Sequence, residues 1–303
     1  MTRFGYACLN MELREKGIFT SRTMRKKTFQ EKGLEYTSEL IVKNTLDLLK
    51  ILKWNKENNI QVFRVSSEIT PWASEYNYED LPEFEVIKQN LKEAGNYAKE
   101  NNLRLSFHPG QFNCLASEKE RVVKNCIKDL DNHGKLFDLM GFERSHYNKI
   151  NIHLGSTCNG NLQKAKYNFC KNFEKLSDAV KTRLTVENDD KAKMFSTKFL
   201  YENIFKEINV PIVFDSHHFT LGPQDSSYNE AFNMAYDSWP KGVKPVCHHS
   251  NGKKEYEDPT IRSKAAHSNF YYTKFDDCNK NVDVVLESKF KEKALFKYIK
   301  DFL

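Results

Sequence analysis

Leu184-Thr185-Val186-Glu187-Asn188-Asp189-Asp190 is a short apolar-alternating strand that runs straight into a glutamate and three further polar side chains. A carboxylate set where a strand opens into a loop is the arrangement in which α/β barrels keep their chemistry. Glu187 is therefore expected to bridge metal ions, with acidic and histidine residues from other strand ends completing the cluster.

The same strand-to-loop pattern recurs on both sides of this stretch. β-rich runs cover Phe4–Leu9, Gln61–Val65, Leu103–Phe107, Lys149–Leu154, Leu184–Val186, Pro211–Phe214, Pro245–Cys247 and Val282–Leu286. They recur at intervals of roughly 30 to 55 residues, which suits strand-helix units with loop insertions. Eight such units predict a (β/α)8 TIM barrel in a single domain over residues 1–303, with its site at the C-terminal face of the strands. Helical patterns fill the gaps: Ser38 can cap a helix through Trp54 that carries Leu40, Ile41, Leu48, Leu49 and Leu52 on one stripe. Phe84–Lys99, Glu118–Met140, Leu162–Val180, Ser196–Ile208 and Lys291–Phe302 have comparable spacing. No internal repeat, low-complexity tract or linker interrupts them.

Composition narrows the class. Hydrophobic residues at 39% and charged residues at 29% of the 303 match a globular chain with a substantial core. A formal net charge of +6 biases partners toward polyanions such as nucleic acid without deciding the fold. The seven cysteines are dispersed and never form a C-x-x-C pair, which argues against a disulfide framework or a thiolate zinc knuckle. Met1–Asn10 has no signal-peptide pattern, and no apolar run approaches the length of a membrane span. The expectation is an intracellular protein with no membrane association and no protein partner implied.

Chemistry-bearing side chains collect at the strand ends. The third strand gives Phe107-His108-Pro109-Gly110-Gln111-Phe112, where Pro-Gly sets a tight exit turn and turns Gln111 and Phe112 outward as a pair suited to wedge into a base stack. The fourth ends at His153-Leu154-Gly155. The sixth supplies Asp215-Ser216-His217-His218 and the seventh Cys247-His248-His249; spacing alone does not choose within either histidine pair. His267 follows in Ala265-Ala266-His267, and the last strand delivers Glu287. Five of the nine histidines and three acids thus reach one rim, whereas His133 and His146 read as structural or surface residues. After the first strand, Ser21–Thr28 holds Arg22 and Arg25 on a basic loop of the same face, placed to meet a phosphate backbone.

In these stretches the sequence resembles the UV-damage endonuclease family and, more distantly, apurinic endonucleases of the endonuclease IV type and the xylose-isomerase-like barrels. Gly5–Asn10, Ser21–Arg25, Arg64–Ser74, His108–Gln111, His153–Gly155, Val186–Asp190, Asp215–His218, Ala265–His267 and Val285–Lys289 carry the resemblance, from the first strand to the last. It implies a hydrolytic site of three divalent ions that nicks double-stranded DNA immediately 5′ to UV photoproducts, pyrimidine dimers and 6-4 photoproducts, and to abasic sites, leaving 3′-hydroxyl and 5′-phosphate ends.

By position, the resemblance implies that His108, His153 and Glu187 hold one ion and that Glu187, Asp215, His248 and Glu287 hold a second. His218 and His267 hold the third, so His218 is favoured over His217 and His248 over His249. Glu187, His108, Asp215 and Glu287 would be the catalytic set. Imidazole with carboxylate admits several divalent ions; the resemblance favours manganese, with zinc and magnesium as alternatives. Gln111 and Phe112 would fill the gap left by the lesion, with Tyr6 and Asn10 near the displaced nucleotides. Two positions depart from the family pattern: Val246 stands where a lysine is common, and Phe112 where a tyrosine is common. Competing readings are an abasic-site endonuclease, a metal-dependent sugar isomerase or epimerase, and a DNA-binding module with a structural metal.

Overall fold

Parallel strands whose side chains alternate between a lumen and an outer helical layer explain why these short runs are almost wholly buried. The computed structural model describes residues 1–303. Its strands are β1 (Arg3–Ala7), β2 (Val62–Arg64), β3 (Arg104–Ser106), β4 (Ile150–Ile152), β5 (Leu184–Glu187), β6 (Ile212–Asp215), β7 (Val246–His249) and β8 (Asp283–Leu286). They lie in the order β3-β2-β1-β8-β7-β6-β5-β4, every pair parallel. A parallel bridge between Phe107 and Ile150 joins the two ends, with the Phe107 amide donating to Lys149 O at 2.9 Å and the Asn151 amide to Phe107 O at 3.0 Å. The result is the predicted TIM barrel, and each of the eight expected strand runs overlaps one of these strands, with β1, β5, β6 and β7 extending one or two residues past the expected bounds.

The lumen is built in layers. At its N-terminal end Asp283 accepts from Arg3 at 2.5 Å, Arg104 at 3.0 Å and Lys244 at 2.8 Å, so a buried carboxylate is matched by three cations. Above it Ala7, Val62, Val213, Val246 and Val285 form an apolar layer with Trp239 against it. Two residues farther along β6, β7 and β8 the same faces carry Asp215, His248 and Glu287. The polar mouth therefore stands on an apolar plug that separates it from the ionic floor.

The helices follow the expected stripes with local differences. Helix α1 (Met11–Glu15) is capped by Asn10, whose side chain accepts from the Leu13 amide at 2.8 Å. Helix α2 (Lys26–Glu57) starts earlier than Ser38, because Gly33, at φ 62° and ψ −154°, lets a first helical piece join the second at a kink. Helices α3 (Phe84–Glu100) and α4 (Glu120–Leu139) match their stripes. The run from Leu162 to Val180 is broken: α5 (Leu162–Phe173) ends where the Lys175 and Leu176 amides fold back on Asn172 and Phe173, and a short turn, Asp178–Lys181, follows. Helix Tyr228–Asp237 went unanticipated, although Ser227 and Glu230 form a capping box that announces it. No helix is long and apolar enough to cross a membrane.

Candidate metal centre

Glu187 ends β5 facing the lumen, almost fully buried, and its two oxygens look to different partners. Oε2 lies 3.2 Å from His108 Nε2 and 3.0 Å from His248 Nδ1; Oε1 lies 3.2 Å from His218 Nδ1. His248 Nδ1 is also 3.2 Å from Glu287 Oε1, and His267 Nε2 is 3.8 Å from Glu287 Oε2. His153 Nδ1 lies 3.2 Å from Asp189 Oδ1. Asp215 caps the turn after β6, its Oδ1 accepting from the amides of His217 and His218 at 2.7 and 2.8 Å. All eight residues named for metal from the sequence meet at this mouth.

Donor atoms lie within 4.8 Å of one another in three groups: His108, Glu187 and His248; His153, Glu187 and His218; Asp215, His248 and Glu287. The grouping departs from the expectation in pairing His108 with His248 and His153 with His218. Asp215 Oδ2, His153 Nδ1 and His248 Nδ1 are buried and form no hydrogen bond. Two of these imidazole nitrogens face carboxylates at 3.0–3.2 Å without hydrogen-bond alignment, as lone pairs gathered around a cation would be. With hard carboxylate and borderline imidazole donors, the residues fit divalent ions.

Electrostatics agree with that fit. Burial pushes His108 down to about 4, so it is a neutral ligand near pH 7. Burial alone would raise Glu187, but His248, with His108 and His218, holds it well below the usual carboxylate range. Glu287 is likewise held low against burial by Arg64 and His248. His218 is the exception: it is raised well above its ordinary value, because Asp215 and Glu187 outweigh its burial, so it holds a proton that a bound cation would displace.

A supporting set escaped the sequence reading. Asn151 Nδ2 donates to Glu187 Oε2, while Asn151 Oδ1 accepts from Thr185 Oγ1 at 2.8 Å. Arg64 at the end of β2 pairs with Glu287. Asn188 exchanges two hydrogen bonds with the Asp215 backbone, at 2.9 and 3.0 Å. Lys149, fully buried and lowered to about 7 by burial, lies against His248. Period-two alternation upstream of His153 was the available signal for Asn151 and Lys149. Of the histidine pairs, His249 leaves the cluster to sit between Ser216 Oγ at 2.7 Å and Thr273 O at 3.2 Å. His133 is a buried helical residue bonded to Asp129 O at 2.8 Å.

The expected DNA-contacting residues divide. Gln111 is exposed and Phe112 is 83% exposed, on a turn held by Asn113, whose side chain donates to Asp129 at 2.7 Å. Phe112 walls one side of a cavity of about 450 Å³ that Trp72, Asn113 and Asp129 also line. Arg25 is exposed. Two expectations need correction. Tyr6 and Asn10 are 0% exposed: alternation turns Tyr6 to the outer face of β1, where its hydroxyl donates to Asn55 of α2 at 2.7 Å and accepts from Asn10 at 3.0 Å. Arg22, half-buried, donates to Asp47 of α2 at 2.6 Å and to Gly17 O at 2.8 Å, so its guanidinium already has partners within the fold.

A closed parallel barrel with carboxylates and imidazoles converging on its C-terminal mouth defines the class, a (β/α)8 protein with a candidate metal-binding cluster at the enzyme-type face. Within that class the chain belongs to the UV-endonuclease UvdE family, whose profile matches residues 2–303, and the family is one of nucleases. It is 37% identical to the UV-damage endonuclease of Schizosaccharomyces pombe over 97% of this chain and 49% of that protein. It is 32% identical to the UV DNA damage endonuclease of Clostridium perfringens over 98% of this chain and 70% of that one. The chain thus spans about half the length of the yeast relative. The crystal structure of SacUVDE superposes with a TM-score of 0.82 at 31% identity, covering 99% of this chain and 97% of that one. Endonuclease IV from Thermus thermophilus shares the fold, with a TM-score of 0.58 at 12% identity over 99% and 97% of the two chains.

Proposed function

We propose that residues 1–303 act as one endonuclease domain that nicks double-stranded DNA immediately 5′ to UV photoproducts, and also at abasic sites, with three divalent ions held at the mouth. The observation that carries this reading is the convergence of three donor groups on Glu187 and its neighbours, beside an exposed Gln111-Phe112 turn. The ions would lie against those groups, with His267 as a further ligand beside Glu287. When bound, divalent ions supply neutralisation of phosphodiester charge and easier deprotonation of the attacking water. Manganese is proposed first, with zinc and magnesium as alternatives.

The chain's own residues do the rest. Glu187 ties two donor groups together through its separate oxygens, and Asn151 and Arg64 keep the carboxylates from rotating. In the reaction, water oxygen bonds to phosphorus as the bond from phosphorus to the 3′ oxygen breaks. The water gives up one proton to solvent and O3′ takes one up as it leaves, so the step consumes one water and gives 3′-hydroxyl and 5′-phosphate ends. A dimer is poorly stacked, so extruding it costs less than extruding intact bases. Gln111 and Phe112 would occupy the space it leaves.

Chelator-treated protein, reloaded in turn with manganese, zinc or magnesium, is assayed on irradiated supercoiled plasmid, with an abasic duplex in parallel. Nicks 5′ to photoproducts that need added metal are expected, fastest with manganese. Equal nicking of irradiated and unirradiated plasmid, or nicking undiminished by chelation, would overturn the reading.

A further inference from the structure

The lumen face of β4 continues one step below its defined ends, presenting Lys149, Asn151 and His153 at alternate positions. The last two join the metal centre directly: Asn151 bonds Glu187, and His153 belongs to a donor group. Lys149 does not. It is 0% exposed, and its Nζ has one polar partner, His248 Nε2 at 3.2 Å, reached across the barrel. An interior lysine normally finds a carboxylate. This one lies between the Asp283 floor and the Glu187–Glu287 mouth and forms an ion pair with neither, whereas Arg3, Arg104 and Lys244 all pair with Asp283.

The choice of partner matters because of what an imidazole can do. Turning the ring of His248 by half a revolution about χ2 replaces Nδ1 by Cδ2 and Nε2 by Cε1. Only one of the two orientations gives a nitrogen to Glu187 and Glu287, at 3.0 and 3.2 Å. Those carboxylates and an ion they share would compete for that nitrogen, but the lower half of the ring needs its own anchor. Val246, the residue beneath His248 on the same face, belongs to the apolar layer and offers none. Lys149 is the group that tells Nε2 from Cε1.

We propose that Lys149 is a positioning residue of the metal centre, clamping Nε2 of His248 so that Nδ1 points at Glu187 and Glu287. This rests on the reading of His248 as a metal ligand. For Nδ1 to ligate, Nε2 carries the ring proton and donates it to the Lys149 amine nitrogen at 3.2 Å, which meets the general need of a ligating histidine for an acceptor on its second N–H, whose loss weakens metal binding about 10–100-fold.

The test compares wild type, Lys149→Met, Lys149→Gln and His248→Ala by calorimetric titration of chelator-treated protein with manganese, alongside thermal melting and the imidazole ¹⁵N spectrum of the metal-free form. Lys149→Met keeps the chain's length without its polar end. It is expected to weaken at least one manganese site about 10–100-fold, leave the melting temperature unchanged or raised, and show a second His248 ring environment. Lys149→Gln, which can still reach for Nε2, recovers part of the affinity. A Lys149→Met isotherm that superposes on wild type while His248→Ala loses an ion overturns the clamp and leaves the metal reading standing. If His248→Ala also superposes on wild type, the ligand assignment falls and the clamp with it. If Lys149→Met does not fold, Lys149→Gln carries the test, and wild-type affinity in that variant with an altered His248 spectrum overturns the proposal.

Discussion

Nδ1 of His248 lies 3.0 Å from Oε2 of Glu187, although the strands that carry them are not hydrogen-bonded to each other, β6 running between β5 and β7. Only a sheet curved into a barrel brings side chains from non-adjacent strands that close. The same curvature lets Glu187 meet His108 from β3's exit and His218 from the turn after β6. Each consequence below depends on that convergence or on the loops set around it.

Asn151 should matter to metal binding more than to stability. Its Nδ2 holds Glu187 Oε2, and Thr185 Oγ1 at 2.8 Å fixes the amide so that this nitrogen faces the carboxylate. Asn151→Ala is expected to weaken manganese binding about 10–100-fold. Thr185→Val, one bond farther out, should have a smaller effect in the same direction. Calorimetric titration of both variants checks the order.

Phe112 presents the opposite balance. At 83% exposure its truncation removes almost no packing, so Phe112→Ala should melt within about 0.5 kcal/mol of wild type. Binding to an irradiated duplex should weaken by about 1–3 kcal/mol, the range for one base-aromatic stack, while binding to intact duplex is unchanged. Fluorescence anisotropy with both duplexes measures the difference.

Arg25 and Arg22 should separate. Arg25 is exposed, and Arg25→Ala is expected to lower the slope of log binding constant against log salt by about 0.9 with no change in melting. Arg22 is tied to the buried Asp47 at 2.6 Å, so Arg22→Ala should leave the slope alone and cost about 2 kcal/mol of stability. Salt titrations and denaturant melts on the two variants decide it.

His249 should make the fold acid-sensitive. Burial lowers it from 6.5 to about 4. The unfolded chain therefore takes up this proton first as pH falls. Stability from the neutral ring is complete above about pH 6.5 and lost as pH drops toward 4, on the order of 3 kcal/mol. Denaturant unfolding from pH 7 to 4 should show that loss, and His249→Gln should flatten the slope by about one proton.

Much of this was legible in one dimension. Alternation and strand-to-loop punctuation located all eight strands, and the acids and histidines at their ends were legible as one rim, because a barrel sends every strand's carboxyl end to the same face. Boundaries drifted where a local turn outweighed periodicity, as at Gly33 in α2 and at the fold-back after Phe173.

What the sequence by itself determined is the set of elements and the chemical types at their ends, since both follow from local alternation and turn chemistry. Tertiary structure alone decided which donors share a neighbourhood, placing His108 with His248 and His153 with His218, because distances across a barrel depend on its curvature and not on spacing along the chain. It also decided which of two adjacent histidines turns inward, buried Tyr6 and Asn10, tied Arg22 to Asp47, and set Lys149 beneath His248. In each case the deciding quantity is the side chain's partner, and that partner lies on another strand or helix, far away in sequence.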